Sequence, residues 1–406
     1  MAVQKEKQEG KQGNTNPQKL NSFLSLRGVA GRTQRLRTKS SAQAEPDTSI
    51  STLPEDLIVE ILSRVPVKPL LRFKCVSKSW NSIISDPRFA KLQLKRAKEN
   101  SNISCNRLLL STWSPRSLDF EAFCDDDLSN TITNVSFPAI VKGPPTFYVR
   151  ILGSCDGLVC LLDDYGTMFL WNPTTRQYKE LPKPKGAVYR MFLHGIGYNF
   201  STDDYGVVFA SRFTDDGNEE TTVELYTLKN NTWRKIEDVD STPEPSGRSG
   251  IFWNGGLYWL KVKGSDCEKV YIIVSFDMVE KKFKEVLSLP RHFDPSRYKA
   301  NLGMSGNSLC VFCECKGSCF ETFVLNINGT ETFWTKLFSF PHDRFPGFDN
   351  AVLCTTKNGE VVLECDGWKL YLYNPKEGTF RNFEMNNGGD VCELELYIES
   401  LVSPNV

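Results

Sequence analysis

The chain has 406 residues, 40% hydrophobic and 24% charged, with 49 basic side chains against 49 acidic ones and no net formal charge. This balance excludes a dedicated nucleic-acid binder, and the lack of any long unbroken apolar run excludes a transmembrane helix. Thirteen scattered cysteines, an odd number with no signal-peptide pattern at the N-terminus, predict reduced thiols in the cytoplasm or nucleus.

Residues 1–50 are polar, rich in Gln, Asn and Ser, and carry nine Lys/Arg against four acids. They read as a disordered basic extension. Two alternatives are a localisation or anionic-surface tag at Arg32–Lys39 and a transit peptide over the acid-free Leu20–Lys39.

Residues 51–98 read as short amphipathic helices. Thr52 and Glu55 have capping-box spacing with Pro54 in the first turn, and Leu57, Ile58, Ile61, Leu62 and Val65 then form one stripe. Pro66 stops that helix. Pro69 opens a second, bearing Leu70, Leu71, Phe73 and Val76. Ser77 or Ser79 caps a third, bearing Trp80, Ile83 and Ile84, and Asp86-Pro87 starts a fourth with Phe89 and Leu92. So small a unit cannot bury a core alone, so it docks on a partner or on the rest of its own chain.

The order and spacing of Leu53-Pro54, Asp56-Leu57, Ile61-Leu62, Leu70-Leu71, Phe73-Lys74, Cys75-Val76-Ser77-Lys78, Trp80 and Ile83-Ile84 resemble the F-box of plant F-box proteins. The resemblance implies a three-helix F-box that binds a Skp-type adaptor, which links it to a cullin in a ubiquitin-protein ligase. It also implies that Leu53, Pro54, Leu57, Ile61, Leu62, Leu70, Leu71, Phe73, Val76 and Trp80 form the adaptor contact or the core directly beneath it.

From Cys105 the periodicity changes to short strands between Gly, Pro, Asn and Asp. Five hairpins carry aligned aromatics, Tyr178, Trp233, Phe283, Trp334 and Phe380, at intervals of 55, 50, 51 and 46. Upstream glycines, Gly157, Gly206, Gly256, Gly306 and Gly359, recur at 49, 50, 50 and 53. Two markers sharing one period predict a β-propeller with kelch-sized blades, the aromatic packing between blades and the glycine in a tight turn. Strands near Leu108–Leu110 and Asp119–Phe123, with the C-terminal Leu394–Val402, supply a further blade and close the ring. Six blades are favoured, with seven as the alternative and a pair of β-sandwiches as the rival.

The motifs SCDGLVCLL from Ser154, WNPTTRQYKELP from Trp171, GIGYNFSTDDYGVV from Gly195, LYWL from Leu257 and YIESLVSP from Tyr397 resemble the F-box-associated domain of the same family. One departure is Gly206, where that family commonly has Lys. The expected fold is α+β and multidomain: extension 1–50, helical F-box 51–98 and mainly-β propeller 105–404.

Catalytic signatures are missing. The three histidines, His194, His292 and His342, have no metal-ligand spacing, and no GxSxG, Walker or GxGxxG motif occurs. Cys310, Cys313, Cys315 and Cys319 read as a hairpin rather than a zinc site. Asp125–Asp127 read as a solvated loop. A non-catalytic subunit without cofactor or metal is expected, with no membrane or nucleic-acid partner. Its protein substrate would bind propeller loops at Tyr189–His194, Thr214–Thr221, Ser241–Ser249, Arg291–Tyr298 and Pro341–Asp349. Arg291, Phe293, Arg297, Tyr298, Arg344, Phe345 and Phe348 are the candidate contacts, because Arg and aromatics are enriched at binding hot spots. A non-degradative adaptor-bound scaffold and a ligand-binding or enzymatic propeller are the alternatives.

Overall fold

The computed structural model describes residues 53–99, 106–111, 115–119, 132–138, 149–186, 191–215, 218–236, 249–264, 269–290, 293–315, 318–328, 331–341, 350–356, 358–365, 369–383 and 393–405. All lie in one compact unit, Leu53–Val406. The extension expected at 1–50 lies outside them.

Four helices come first: α1 (Glu55–Leu62), α2 (Val67–Phe73), α3 (Lys78–Ser85) and α4 (Pro87–Glu99). Pro54, not Thr52, is the N-cap of α1, and Glu55 and Asp56 place negative charge at the positive end of its dipole. α2 starts behind Pro66 rather than at Pro69, which falls in its first turn, where a missing N–H costs nothing. The cap of α3 is Ser77, whose Oγ accepts the Trp80 N–H at 3.1 Å. Asp86 caps α4 by accepting the Arg88 N–H at 2.7 Å. Leu62, Val67, Leu70, Ile83, Ile84, Phe89 and Ala90 form the helical core.

Twenty-four strands follow among the described residues. The first seven are β1 (Asn106–Ser111), β2 (Arg116–Leu118), β3 (Ile132–Asn134), β4 (Arg150–Cys155), β5 (Leu158–Leu162), β6 (Met168–Trp171) and β7 (Tyr178–Glu180). Next come β8 (Met191–Asn199), β9 (Asp204–Asp215), β10 (Asn218–Thr227), β11 (Thr232–Ile236), β12 (Ile251–Trp253), β13 (Gly256–Lys263), β14 (Val270–Asp277) and β15 (Lys282–Ser288). The remainder are β16 (Tyr298–Ser305), β17 (Ser308–Cys315), β18 (Cys319–Asn328), β19 (Glu331–Pro341), β20 (Asn350–Thr355), β21 (Val361–Cys365), β22 (Lys369–Asn374), β23 (Thr379–Phe383) and β24 (Glu393–Ile398).

They form a propeller-like arrangement of four-stranded sheets: β24-β1-β2-β3, β4-β5-β6-β7, β8-β9-β10-β11 and β12-β13-β14-β15. A further eight-stranded sheet runs β19-β18-β17-β16-β20-β21-β22-β23. Its two halves pair strand to strand where β16 and β20 run in parallel, at Met304↔Cys354 and Ser305↔Thr355.

Apolar side chains fill the spaces between consecutive sets of four strands. Leu109, Trp171 and Tyr397 lie in the first space. Leu170, Phe209 and Tyr226 lie in the second, and Val208, Trp259 and Phe276 in the third. Ile273, Phe293 and Leu309 occupy the fourth, and Phe312, Phe340 and Tyr373 the fifth. Leu108, Leu110, Leu370 and Leu394 then bring the last strands back onto the first.

The C-terminal strand closes on the first sheet as expected, pairing with β1 from Asn106↔Ile398 to Ser111↔Glu393. One boundary moves: β24 ends at Ile398, so Glu399–Val402 leave the sheet. β2, at Arg116–Leu118, precedes the strand expected at Asp119–Phe123. Residues 120–123 lie outside the described ones.

The five periodic aromatics all lie on the outermost strand of their set. Across the register they face Trp171, Tyr226, Phe276, Leu325 and Tyr373 in turn. Trp233 also reaches the preceding sheet, donating its Nε1–H to the Pro182 carbonyl at 2.6 Å. Such aromatic pairs add about 0.5–1.5 kcal/mol beyond area burial. The turns before them share an Asx geometry: Asn172, Asp277 and Asn374 each accept two backbone N–H groups through the side-chain oxygen.

The glycine markers divide. Gly157 has φ +89°, as a tight turn requires. Gly206 does not turn the chain; Asp203, at φ 54°, sits in the turn before it. Gly206 is small because a Cβ there would lie 2.9 Å from the Tyr226 carbonyl oxygen.

Asn172 is fully buried, and its Nδ2 donates to the Ser400 carbonyl at 3.1 Å and the Val402 carbonyl at 2.7 Å. Asn172→Ala strands those acceptors and removes the turn contacts, so unfolding in denaturant should show a loss of about 1–3 kcal/mol. An unchanged midpoint and slope would remove this side chain from the fold's support.

Candidate functional site

α1 is apolar on two sides. Leu62 is buried and Ile58 and Val65 are half-buried against the other helices, while Leu57 and Ile61, one turn apart, face solvent at 48% and 54% exposure. Leu53 (57%) and Pro54 continue that surface at the helix start. Val76, expected on the second helix, lies in the turn after it and is 61% exposed. The ten residues read from the sequence therefore separate. Leu62 and Leu70 are core, Leu71, Phe73 and Trp80 are half-buried, and Leu53, Pro54, Leu57, Ile61 and Val76 are exposed. Phe73 and Trp80 meet edge to face, with ring centroids 5.6 Å apart. A solvent-facing row of this kind on a helix already packed on its other side marks an interaction surface.

What holds α1 in place was not evident from its sequence. Arg96 of α4 donates to the Glu60 carboxylate at 2.5 Å and to the Glu60 carbonyl at 3.1 Å, and Arg64 adds a 2.6 Å bond one turn on. Hydrogen bonding by Arg96, then by Arg64, holds the Glu60 carboxyl below its ordinary pKa. Only the Glu60–Arg64 pair has a recognisable local spacing.

α4 faces the sheets. Lys98 pairs with Asp156 at 2.5 Å in the β4–β5 turn, and Lys91 pairs with Asp203 in the β8–β9 turn. Antiparallel strands alternate direction, so turns from second to third strands, and links between sets, leave at the end away from the helices. Of the five loop stretches proposed for substrate, residues 189–190, 216–217, 241–248, 291–292 and 342–349 lie outside the described residues. The buried Glu224 carboxylate, in β10, accepts the N–H groups of Lys185 and Gly186 at 3.2 and 2.6 Å, holding the chain that follows β7.

The candidate contacts fare unequally. Arg297 is exposed. Tyr298 is half-buried and its carbonyl accepts the Tyr271 hydroxyl at 2.9 Å. Phe293 is 1% exposed and packs edge-on against Phe323 at 4.7 Å, which removes it from the far surface. The residue type suited a hot spot, but the ring completes a core between sheets. Arg291, Arg344, Phe345 and Phe348 lie outside the described residues, as do His292 and His342.

His194 is half-buried and faces the Leu152 carbonyl through Nδ1 at 2.9 Å. Burial pushes its pKa down to about 4, opposed by that bond and aided by nearby Arg150. β17 and β18 form the hairpin read from the cysteine cluster, with Cys315 opposite Cys319. Burial pushes the Cys310 thiol up to about 12 and raises Cys313 as well. Among the described residues, no three His, Cys, Asp or Glu side chains converge as metal ligands.

The sequence matches the F-box domain over residues 50–92 and the F-box associated beta propeller domain over residues 117–404. An F-box/kelch-repeat protein of Arabidopsis thaliana is 32% identical over 87% of this chain and 96% of its own length. The F-box protein CPR1 of the same plant is 24% identical over 87% of this chain and 89% of its own. A solved oligogalacturonate lyase is 10% identical, covering 66% of this chain and 69% of its own at a TM-score of 0.38, too distant to bear on chemistry. The F-box match, the propeller match over most of the chain and the near full-length plant relatives place this chain among the plant F-box proteins with an F-box-associated β-propeller domain.

Proposed function

We propose that this chain is the substrate-receptor subunit of a Skp–cullin–F-box ubiquitin ligase. The observation that carries the reading is the solvent-facing apolar surface of Leu53, Pro54, Leu57, Ile61 and Val76 on the F-box. A Skp-type adaptor covers that surface and connects it to a cullin. Fully burying a Leu or Ile contributes about 1.5–3 kcal/mol, so four half-covered anchors supply on the order of 5 kcal/mol. Association entropy offsets several kcal/mol of this, which leaves part of the affinity to Phe73, Trp80 and polar contacts around them.

The chain itself transfers nothing in this reading. It raises the local concentration of a target protein near a ubiquitin-charged enzyme. The target binds the propeller end away from the helices, where Arg297 is exposed. The assembly works in the cytoplasm or nucleus, where buried thiols stay reduced.

A six-bladed ring is the propeller count we favour. The eight-stranded sheet divides into two meanders of four at its two-residue parallel contact, and apolar clusters fill six spaces between sets.

The test is a native pull-down of the full chain beside a Leu53→Ala/Pro54→Ala variant, read by mass spectrometry. The wild type should bring down adaptor and cullin. The variant should lose both, since two truncated anchors cost about tenfold or more in affinity. Proteins retained by both are target candidates. Adaptor and cullin retained in full by the variant would refute the assigned surface, and their absence from wild type would refute the ligase role.

A further inference from the structure

The F-box helices and the propeller share core side chains instead of meeting only at their surfaces. Leu401 sits among Leu62, Val67, Leu70, Ile84 and Phe89 of the helices. Its neighbour Val402 sits in the space between the second and third sheets, together with Leu94 of α4. Two consecutive residues, about 3.8 Å apart along the chain, are therefore inserted into two different cores. The helical unit is too small to complete its own core, and Leu401 supplies what it lacks.

Polar contacts hold the same segment. The buried Glu399 carboxylate lies 3.0 Å from Lys68 Nζ of α2 and 2.9 Å from Arg107 Nε of β1. The Ser400 hydroxyl donates to the Asp156 carbonyl at 2.7 Å, and Asp156 in turn pairs with Lys98 of α4. Asn172 donates to the carbonyls of Ser400 and Val402. The passage is narrow: a Cβ on Gly157 would stand 2.2 Å from Ser400 Oγ.

We propose that Glu399–Val402 is a latch that fixes the angle between the F-box and the propeller. With one residue in each core and a carboxylate bridging both units, neither unit can rotate without breaking contacts on both sides. The partner-binding face of α1 and the far end of the propeller are then held at one distance. The latch is independent of which partners those two surfaces take. Under the ligase reading it sets where a target stands relative to the ubiquitin donor, so Glu399 and Leu401 are positioning residues.

The experiment measures the placement of the helices against the propeller in the full chain. Spin labels carried by non-natural amino acids replace the exposed Arg88 on α4 and Lys376 in the β22–β23 turn, and double electron–electron resonance reads their separation. The wild type should give one narrow peak, and Leu401→Ile should keep it. Leu401→Asp should broaden or split the peak while the β-sheet circular dichroism signal of the propeller persists. Because Leu401→Asp also disturbs the helical core, a second variant, Lys68→Ala/Asn172→Ala, loosens the segment from both sides without touching Leu401 or Val402. It too should broaden the peak, with helical content unchanged. A narrow peak at the wild-type distance in both variants would overturn the latch.

Discussion

Replacing both Leu57 and Ile61 with Asp should reduce adaptor affinity at least about a thousandfold while the chain remains folded. The binding effect follows from desolvation. Each substitution removes an apolar anchor and places a carboxylate against an apolar surface with no partner, and the pair costs about 4 kcal/mol or more. The stability effect is small because both side chains are about half exposed and face away from the helical core. Asp lowers helix propensity by up to about 0.7 kcal/mol per site, and a negative charge near the C-terminal end of α1 adds a few tenths. Calorimetric titration of the adaptor into the full chain gives the first quantity and thermal unfolding the second. Affinity within a few-fold of wild type would remove this face from the interface. Leu62→Ala is no substitute, since Leu62 is core and its truncation costs about 2–5 kcal/mol of folding stability, which confounds any loss of binding.

Why one helix has two apolar sides explains what its sequence can and cannot disclose. The stripe from Leu57 to Val65 is visible as period 3.6, but the pattern cannot say that Leu62 looks inward and Leu57 outward, because both are leucines on adjoining arcs. The outer strands of the propeller were more legible. Their aromatics repeat near every fifty residues because each set of four strands must fill the same space against the next, and Tyr178, Trp233, Phe283, Trp334 and Phe380 all reach it. Helix starts were legible where a side chain makes the cap, as at Ser77, and misread where backbone geometry decides, as at Pro66 and Pro69.

Contacts distant in sequence left no local trace. Leu401 completes the core around Leu62, and Glu399 joins Lys68 to Arg107, in each case a partner far away in the sequence. YIESLV reads only as a terminal strand, and nothing in its composition says that its last four residues leave the sheet. One substrate-contact candidate, Phe293, failed for a related reason. Arg and aromatic composition suggests a surface hot spot, but Phe293 has the same composition and lies in a core.

His194 gives the propeller a pH dependence of predictable sign. It is half-buried between the second and third sets of strands, with Nδ1 on the Leu152 carbonyl. Its backbone carbonyl receives the Trp259 indole N–H at 3.1 Å and the Gly250 N–H at 2.8 Å. Burial first, and the charge of Arg150 after it, lowers its pKa from 6.5 to about 4. The unfolded chain therefore binds a proton at this residue before the folded chain does, and stability falls as pH drops below about 6.5. The loss flattens once pH passes about 4, where the folded protein is protonated too. A shift of about 2.5 units corresponds to about 3 kcal/mol over that window. His194→Asn retains a side-chain amide near the Leu152 carbonyl but removes the titration. Urea unfolding of both proteins at several values between pH 7 and pH 4.5 isolates the residue, because the carboxylates titrate alike in each. The wild type should lose about 2–3 kcal/mol more than the variant across that range. Parallel stability curves would mean that His194 is protonated in the folded state well above pH 4, and that water reaches the space between these two sheets.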